Sequence, residues 1–232
     1  MKIFVTESSG FIGKELVESL AKKHEIVKYD LVNGQDILDY DKLKNAMKGC
    51  QIVVHLAAIP RPVEEKTFSD YFHTNCHGTF NVAQAAKENN VKRLVFTSST
   101  TYYGIEKGIP FIIPIKESNP VLTQHVKVKD LACRDCDISY STSKVIAEQI
   151  LANYGMAKKF EVIILRIGPT RPSGQFKPFL GTHLKIENAV KALEAAIDVK
   201  EQLWYEAFTI TDELENIDIS KAKKILNYKP IK

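Results

Sequence analysis

No stretch of the chain stays apolar for the roughly 18 residues that a membrane-crossing helix requires, which excludes a helical span. Cysteine is scarce: Cys50 and Cys76 stand far from each other and from the Cys133-Arg134-Asp135-Cys136 pair. Four cysteines so placed give no disulfide framework, and one close pair lacks the second pair that a zinc site of this kind usually has. Net charge is small as well. The 32 Lys and Arg and 28 Asp and Glu leave a formal +4 with both signs interspersed, and no basic stripe interleaved with aromatics suggests nucleic acid. Internal repeats and low-complexity tracts are missing, which argues against a solenoid or a linker. A strand pattern begins at residue 2, so no leader is expected; the reading is a soluble cytoplasmic protein without a nucleic-acid or membrane partner.

What is present is alternation. At 232 residues and 44% hydrophobic, the chain can bury a substantial core. Apolar, partly β-branched runs at 2–6, 25–29, 51–56, 92–98 and 160–166 read as strands, with helices at 11–23, 67–89 and 139–156. That order predicts an α/β fold, a doubly wound parallel sheet of Rossmann type. The first strand leads into Ser8-Ser9-Gly10-Phe11-Ile12-Gly13, and Ile12, Leu16 and Leu20 follow at helical spacing. A strand, tight loop and helix so arranged place backbone N–H groups and a helix N-terminus against a pyrophosphate. The second strand ends at Asp30, where a carboxylate can accept from ribose hydroxyls and would repel a 2′-phosphate, favouring NAD over NADP. The alternative for Asp30 is a turn cap.

Tyr140-Ser141-Thr142-Ser143-Lys144 follows a hydroxyl-rich strand end, Thr97-Ser98-Ser99-Thr100. Residues four apart share one helical face, so the Lys144 ammonium can favour the phenolate of Tyr140, whose free pKa of about 10 makes it a poor base at neutral pH. The same spacing also arises by chance on amphipathic helices. His55 and His183 read as structural.

Taken together these segments resemble an extended short-chain dehydrogenase/reductase of the NAD-dependent epimerase/dehydratase group. The matching stretches run in order from Val5-Thr6 and Ser9 to Gly13 through Asp36-Ile37-Leu38-Asp39, His55-Leu56-Ala57-Ala58 and Asn75-Cys76-His77-Gly78-Thr79. They continue with Val95 to Gly104, Tyr140 to Lys144, Leu165-Arg166 and Asp218 to Ala222. The resemblance implies a catalytic hydroxyl at Ser99, a base at Tyr140 and a lysine at Lys144. It implies NAD contacts at Gly10, Phe11, Ile12 and Gly13 in the loop, at Asp30 for the ribose and at Asp36 and Ile37 for the adenine. Leu56, Ala57 and Ala58 would line the nicotinamide side, with Asn75 bracing the interior and Tyr140 and Lys144 also touching the cofactor.

Two positions depart from the family pattern. Glu7 stands where its first loop glycine belongs, and Gly181 aligns with the arginine that grips a nucleotide diphosphate. Residues 1–167 are expected to form the NAD-binding domain and 168–232 a reduced substrate cap with helices near 185–197 and 218–226. The activity implied is that of an NAD-dependent sugar or sugar-nucleotide epimerase/dehydratase. A sugar dehydrogenase and a non-catalytic dinucleotide-binding protein are the alternatives. A homodimer is expected through the helices at 67–89 and 139–156, with Leu151 and Tyr154 on the apolar side. The long connection between Gly104 and Tyr140, which holds Cys133 and Cys136, reads as a lid or a surface excursion.

Overall fold

A computed structural model describes residues 1–105, 111–125, 127, 132–172 and 182–231. Gly181 lies outside them. The five expected strands form as β1 (Lys2–Thr6), β2 (Glu25–Tyr29), β3 (Ile52–His55), β4 (Arg93–Ser99) and β5 (Glu161–Ile167). Between and after them come α1 (Phe11–Leu20), α2 (Tyr40–Ala46), α3 (Phe68–Tyr71), α4 (Gly78–Glu88), α5 (Leu122–His125) and α6 (Asp135–Met156). Beyond β5 follow β6 (Thr170–Arg171), β7 (Leu184–Lys185), α7 (Ile186–Asp198), β8 (Tyr205–Ile210) and α8 (Ser220–Ile225).

The main sheet has six strands in the order β2-β1-β3-β4-β5-β8, and every neighbouring pair is parallel. Successive side chains alternate between its faces. Ile3, Val5, Val54, Val95, Ile163 and Leu165 pack with Leu16 and Leu20 of α1 and Ala192 and Leu193 of α7. Phe4, Val53, Leu94, Phe96, Val162 and Ile164 pack with Leu43 of α2, Val82 and Ala86 of α4 and Ala147 and Leu151 of α6. Because both faces are covered, the strands read as continuous apolar runs. The chain winds from β1 to β2 on one side and to β3 on the other, so a crevice opens between the carboxyl ends of β1 and β3, the position where α/β sheets hold ligands.

Three expectations change in detail. The helix expected over 67–89 contains a π-helical segment at Phe72–His77 between α3 and α4. Helix α6 begins at Asp135, four residues before the expected start, because Arg134 and Asp137 close a capping box there. The segment from 168 onward, read as a cap, contributes the sixth strand, β8, and a helix, α7, that packs beside α1 with Ser19 Oγ donating to Glu194 at 2.5 Å. Arg93 of β4 ties α7 down: its guanidinium donates to the carbonyls of Ala196, Ile197 and Val199 at the helix C-terminus and pairs with Glu161 at 2.7 Å.

Candidate active site

The first turn of the crevice is built around Glu7. Its φ of +53° is a left-handed conformation that glycine adopts without strain, and the Gly10 N–H donates to its carbonyl at 3.1 Å. Gly13 is demanded by packing, since a Cβ there would sit 2.0 Å from the Glu7 carbonyl oxygen. Gly10 is the N-cap of α1, without a side-chain cap of its own. The face it leaves open is taken by Glu7: a Cβ on Gly10 would meet Glu7 Oε1 at 2.6 Å. Beside it the Ser8 hydroxyl is buried and has no hydrogen-bond partner among the described residues. Phe11 is half exposed, and Ile12 leans on the core.

At the end of β2, Asp30 is buried and accepts from the Ser9 N–H at 2.7 Å and the Val32 N–H at 3.0 Å, so it is both turn cap and loop tether. Each of its oxygens retains a lone pair for a ribose hydroxyl. Asp36 turns its carboxylate onto the Leu38 N–H at 2.9 Å, and Ile37 is buried against Gly78, where a Cβ would meet it at 2.4 Å. These residues make the wall on the β2 side.

On the β3 side, Thr6 Oγ1 accepts from the N–H groups of Leu56 and Ala57, both at 3.0 Å, so its proton goes to His55 Nδ1 at 2.9 Å. His55 Nε2 then donates to Thr79 Oγ1 at 3.0 Å, because the Thr79 hydroxyl is itself donating to the Asn75 carbonyl. Burial, with the Lys144 charge nearby, pushes His55 down to about 3. It is a structural histidine, as expected. The Ala58 N–H donates to Glu7 Oε2 at 3.2 Å, which bridges the crevice. Asn75, in the π-helical segment, accepts from the Ile59 N–H at 2.7 Å and donates to Ser143 Oγ on α6 at 2.9 Å. The wider turn aims Asn75 inward, between Ile59 and Ser143.

Ser99 ends β4, and Tyr140 and Lys144 lie on α6; all three are buried. Ser141 Oγ, donating to the Thr101 carbonyl at 2.7 Å, holds α6 against that strand end. Burial pushes Tyr140 up to about 12, opposed by the Ser99 side chain and reinforced by Tyr71 and the Glu7 carboxylate; no lowering by Lys144 counters it. Burial also pushes Lys144 down to about 8, with the Glu7 and Glu148 carboxylates acting the other way. Its ammonium donates to the Thr97 carbonyl at 2.8 Å and lies 4.8 Å from the centre of the Phe96 ring.

One turn beyond Lys144 is a buried cluster with no assigned role in the sequence. Glu148 accepts from Arg166 Nη2 at 2.7 Å and Nε at 3.1 and 3.2 Å, and from Ser98 Oγ at 2.5 Å. Arg166 also donates to Tyr103 Oη at 3.0 Å and stacks 3.4 Å from the centre of the Tyr102 ring. The available signal was Glu148 at helical spacing from Lys144, and the charged Arg166 directly after the apolar run Val162 to Leu165.

Leu151 and Tyr154 face the core, Tyr154 stacked on Phe160, so neither belongs to an exposed apolar side. Exposed aromatics lie instead at Phe68, Phe72 and Phe80. Among the described residues no group of three or more His, Cys, Asp and Glu could hold a metal, and no helix is long and apolar enough to cross a membrane.

This is a Rossmann-type nucleotide-binding sheet with a Ser, Tyr and Lys at its carboxyl edge. The chain belongs to the NAD dependent epimerase/dehydratase family, which it matches over residues 3–205. It is 32% identical to the L-arabinose 1-dehydrogenase (NAD(P)(+)) of Haloferax volcanii over 174 residues, 72% of this chain and 66% of that protein. It is 23% identical to the uronate dehydrogenase of Pseudomonas syringae pv. tomato, over 84% of this chain and 69% of the other. The chain thus spans about two thirds of these two relatives. In fold it resembles the UDP-glucuronic acid 4-epimerase from Bacillus cereus in complex with NAD, with a TM-score of 0.77, 22% identity and coverage of 100% and 94%.

Proposed function

We propose that the chain transfers hydride between NAD and a hydroxyl-bearing carbon of a sugar, with Ser99, Tyr140 and Lys144 as its catalytic residues. The observation that carries this reading is the burial of Ser99, Tyr140 and Lys144 around the carboxyl end of β4, where the Ser99 side chain acts on the Tyr140 phenol and Lys144 donates to the Thr97 carbonyl, beside the crevice between β1 and β3. The surroundings fit the cofactor: Gly13 permits close packing of loop and helix, the N-terminus of α1 has no cap, and Asp30 retains acceptors for a ribose. NAD, when bound, supplies the hydride acceptor. Tyr140 takes the proton of the substrate hydroxyl, Ser99 donates to the developing oxyanion, and the Lys144 ammonium stabilises the phenolate. Gly10 to Gly13, Asp36, Ile37 and Leu56 to Ala58 form the walls, with Asn75 holding α6 in register.

The triad serves a dehydrogenase, which releases its oxidised product, and an epimerase, which reduces it again. Net oxidation of a free sugar is favoured by the two dehydrogenase relatives, and α7 and β8 join the sheet layer. A sugar-nucleotide epimerase/dehydratase is the second reading, supported by the likeness in fold to the UDP-glucuronic acid 4-epimerase. Phe68, Phe72 and Phe80 support a homodimer across the α3–α4 layer, which light scattering tests. For activity the experiment is a panel of pentoses, hexoses, uronates and UDP-sugars, read by NADH absorbance and by product chromatography. Net NADH with a free sugar supports the dehydrogenase, and interconversion of a UDP-sugar without net NADH supports the epimerase. Tyr140→Phe should lower either activity by a hundredfold or more, and a variant with near-native turnover overturns the assignment.

A further inference from the structure

The loop that should cradle a pyrophosphate already holds an anion of its own. Glu7 lies at the carboxyl end of β1 in a left-handed backbone conformation, which turns its side chain back over the loop. One carboxylate oxygen accepts the Ala58 N–H from the opposite lip of the crevice at 3.2 Å, and the other covers the bare face of Gly10 at the N-terminus of α1. The Lys144 ammonium attracts the same carboxylate from α6. The neighbouring Ser8 hydroxyl remains buried without a partner among the described residues, a donor that nothing in the loop itself satisfies. We infer that the Glu7 carboxylate is an internal stand-in for a cofactor phosphate, a strap across the crevice that a dinucleotide must displace in order to lie on the loop.

This rests on the NAD-dependent reading above and adds a residue that sets cofactor affinity. The strap is charge-dependent. The charged groups around it are Asp30 at the end of β2 and Lys144 on α6, with Tyr140 on α6 and His55 on β3 the other titratable neighbours. His55, held near 3, stays neutral above pH 5. Burial raises the Glu7 carboxyl above its ordinary value, opposed by the Ala58 N–H and Lys144, so protonation as the pH falls releases the repulsion toward phosphate.

The test is calorimetric titration of NAD into the wild-type protein, Glu7→Gln and Glu7→Gly from about pH 5.5 to about pH 8, at low and high salt. Wild-type affinity should rise as the pH falls. Glu7→Gln keeps the acceptor for Ala58 without the charge, and at pH 8 it should bind NAD about tenfold more tightly than wild type, with that gap narrowing toward acid and in high salt. The Glu7 charge also raises Lys144 and Tyr140, and Glu7→Gln and Glu7→Gly remove that influence alike, so the comparison of the two variants separates the charge of Glu7 from its shape. Equal affinities at every pH would overturn the inference while leaving the NAD reading intact. Circular dichroism of native shape with no NAD binding by any of the three would overturn the NAD reading itself.

Discussion

Removing the Glu148 carboxylate should cost about as much stability as any single polar change in this fold. Glu148 is 0% exposed and Arg166 5%, and the guanidinium reaches the carboxylate through both Nε and Nη2. A buried pair of this kind offers little net gain over a hydrophobic pair, but breaking it strands a charge, a loss of about 3–5 kcal/mol. Among the described residues, Glu148→Ala would leave Arg166 with Tyr103 Oη and the rings of Tyr102 and Tyr103, none of which neutralises it. It would also leave Ser98 Oγ without its acceptor, one residue from Ser99. For a chain of this length each kcal/mol corresponds to roughly 2–4 °C, so the midpoint should fall by about 6–20 °C. Urea unfolding of wild type, Glu148→Ala, Arg166→Met and the Glu148→Leu/Arg166→Met double variant gives the comparison, with the m-value checked for constancy. The double variant should recover most of the loss. A cost under about 1 kcal/mol for Glu148→Ala, or a double variant whose cost equals the sum of the singles, would show that water already neutralises the cluster.

Gly13→Ala should destabilise by about 3 kcal/mol or more and abolish NAD binding, since the new methyl would meet Glu7 backbone at 2.0 Å; Gly34→Ala, at φ +72° with open space around it, should cost only about 1 kcal/mol. Equal midpoints for the two would refute the packing argument. His55 should weaken the fold in acid. Its folded value near 3 lies below the ordinary 6.5, so the unfolded chain binds the proton first and stability falls as pH drops from about 6.5 toward 3. In His55→Asn, less stable at neutral pH through the lost threonine bonds, the acid slope should be shallower, which midpoints measured from pH 7 to pH 4 would reveal.

The strand-loop-helix at the N-terminus and the placing of Tyr140 and Lys144 on one helix were legible in sequence because their physics is local: a run of alternating faces, a turn and one helical turn of spacing. Five strands fell where apolar runs predicted them. Strand β8 did not, because Tyr205-Glu206-Ala207 dilutes the apolar signal on an edge strand that is only partly covered at its start. The π-helical segment is set by the reach of Asn75 to Ile59 and Ser143, contacts 16 and 68 residues apart in sequence that no window contains. Glu7 was visible as a misplaced side chain, but its direction was not. Whether it pointed to water or back across the crevice depended on the Ala58 N–H, 51 residues away. The Glu148–Arg166 pair escaped for the same reason.

Tyr140 sets the last requirement. Near 12, the phenol is ionised in only about one molecule in 10⁵ at pH 7, equivalent to roughly 7 kcal/mol that a proton-abstracting base would have to recover. Ser99 supplies a hydrogen bond, but desolvation prevails in the unliganded pocket, and the Glu7 carboxylate adds repulsion. For Tyr140 to act as the base proposed above, positive charge has to arrive with the ligand while Lys144 is still protonated, below about pH 8. A cationic nicotinamide meets the first condition, and displacement of Glu7 would remove the opposing charge. Tyrosine absorbance at 295 nm should then show one phenol whose titration moves to lower pH when NAD is added, with the shift missing in Tyr140→Phe. Lys144→Met should retain the NAD-induced change but begin it from a higher pH. If NAD binds and the wild-type titration does not move, Tyr140 remains a neutral hydrogen-bond donor, and proton transfer from the sugar hydroxyl has to be assigned to another group.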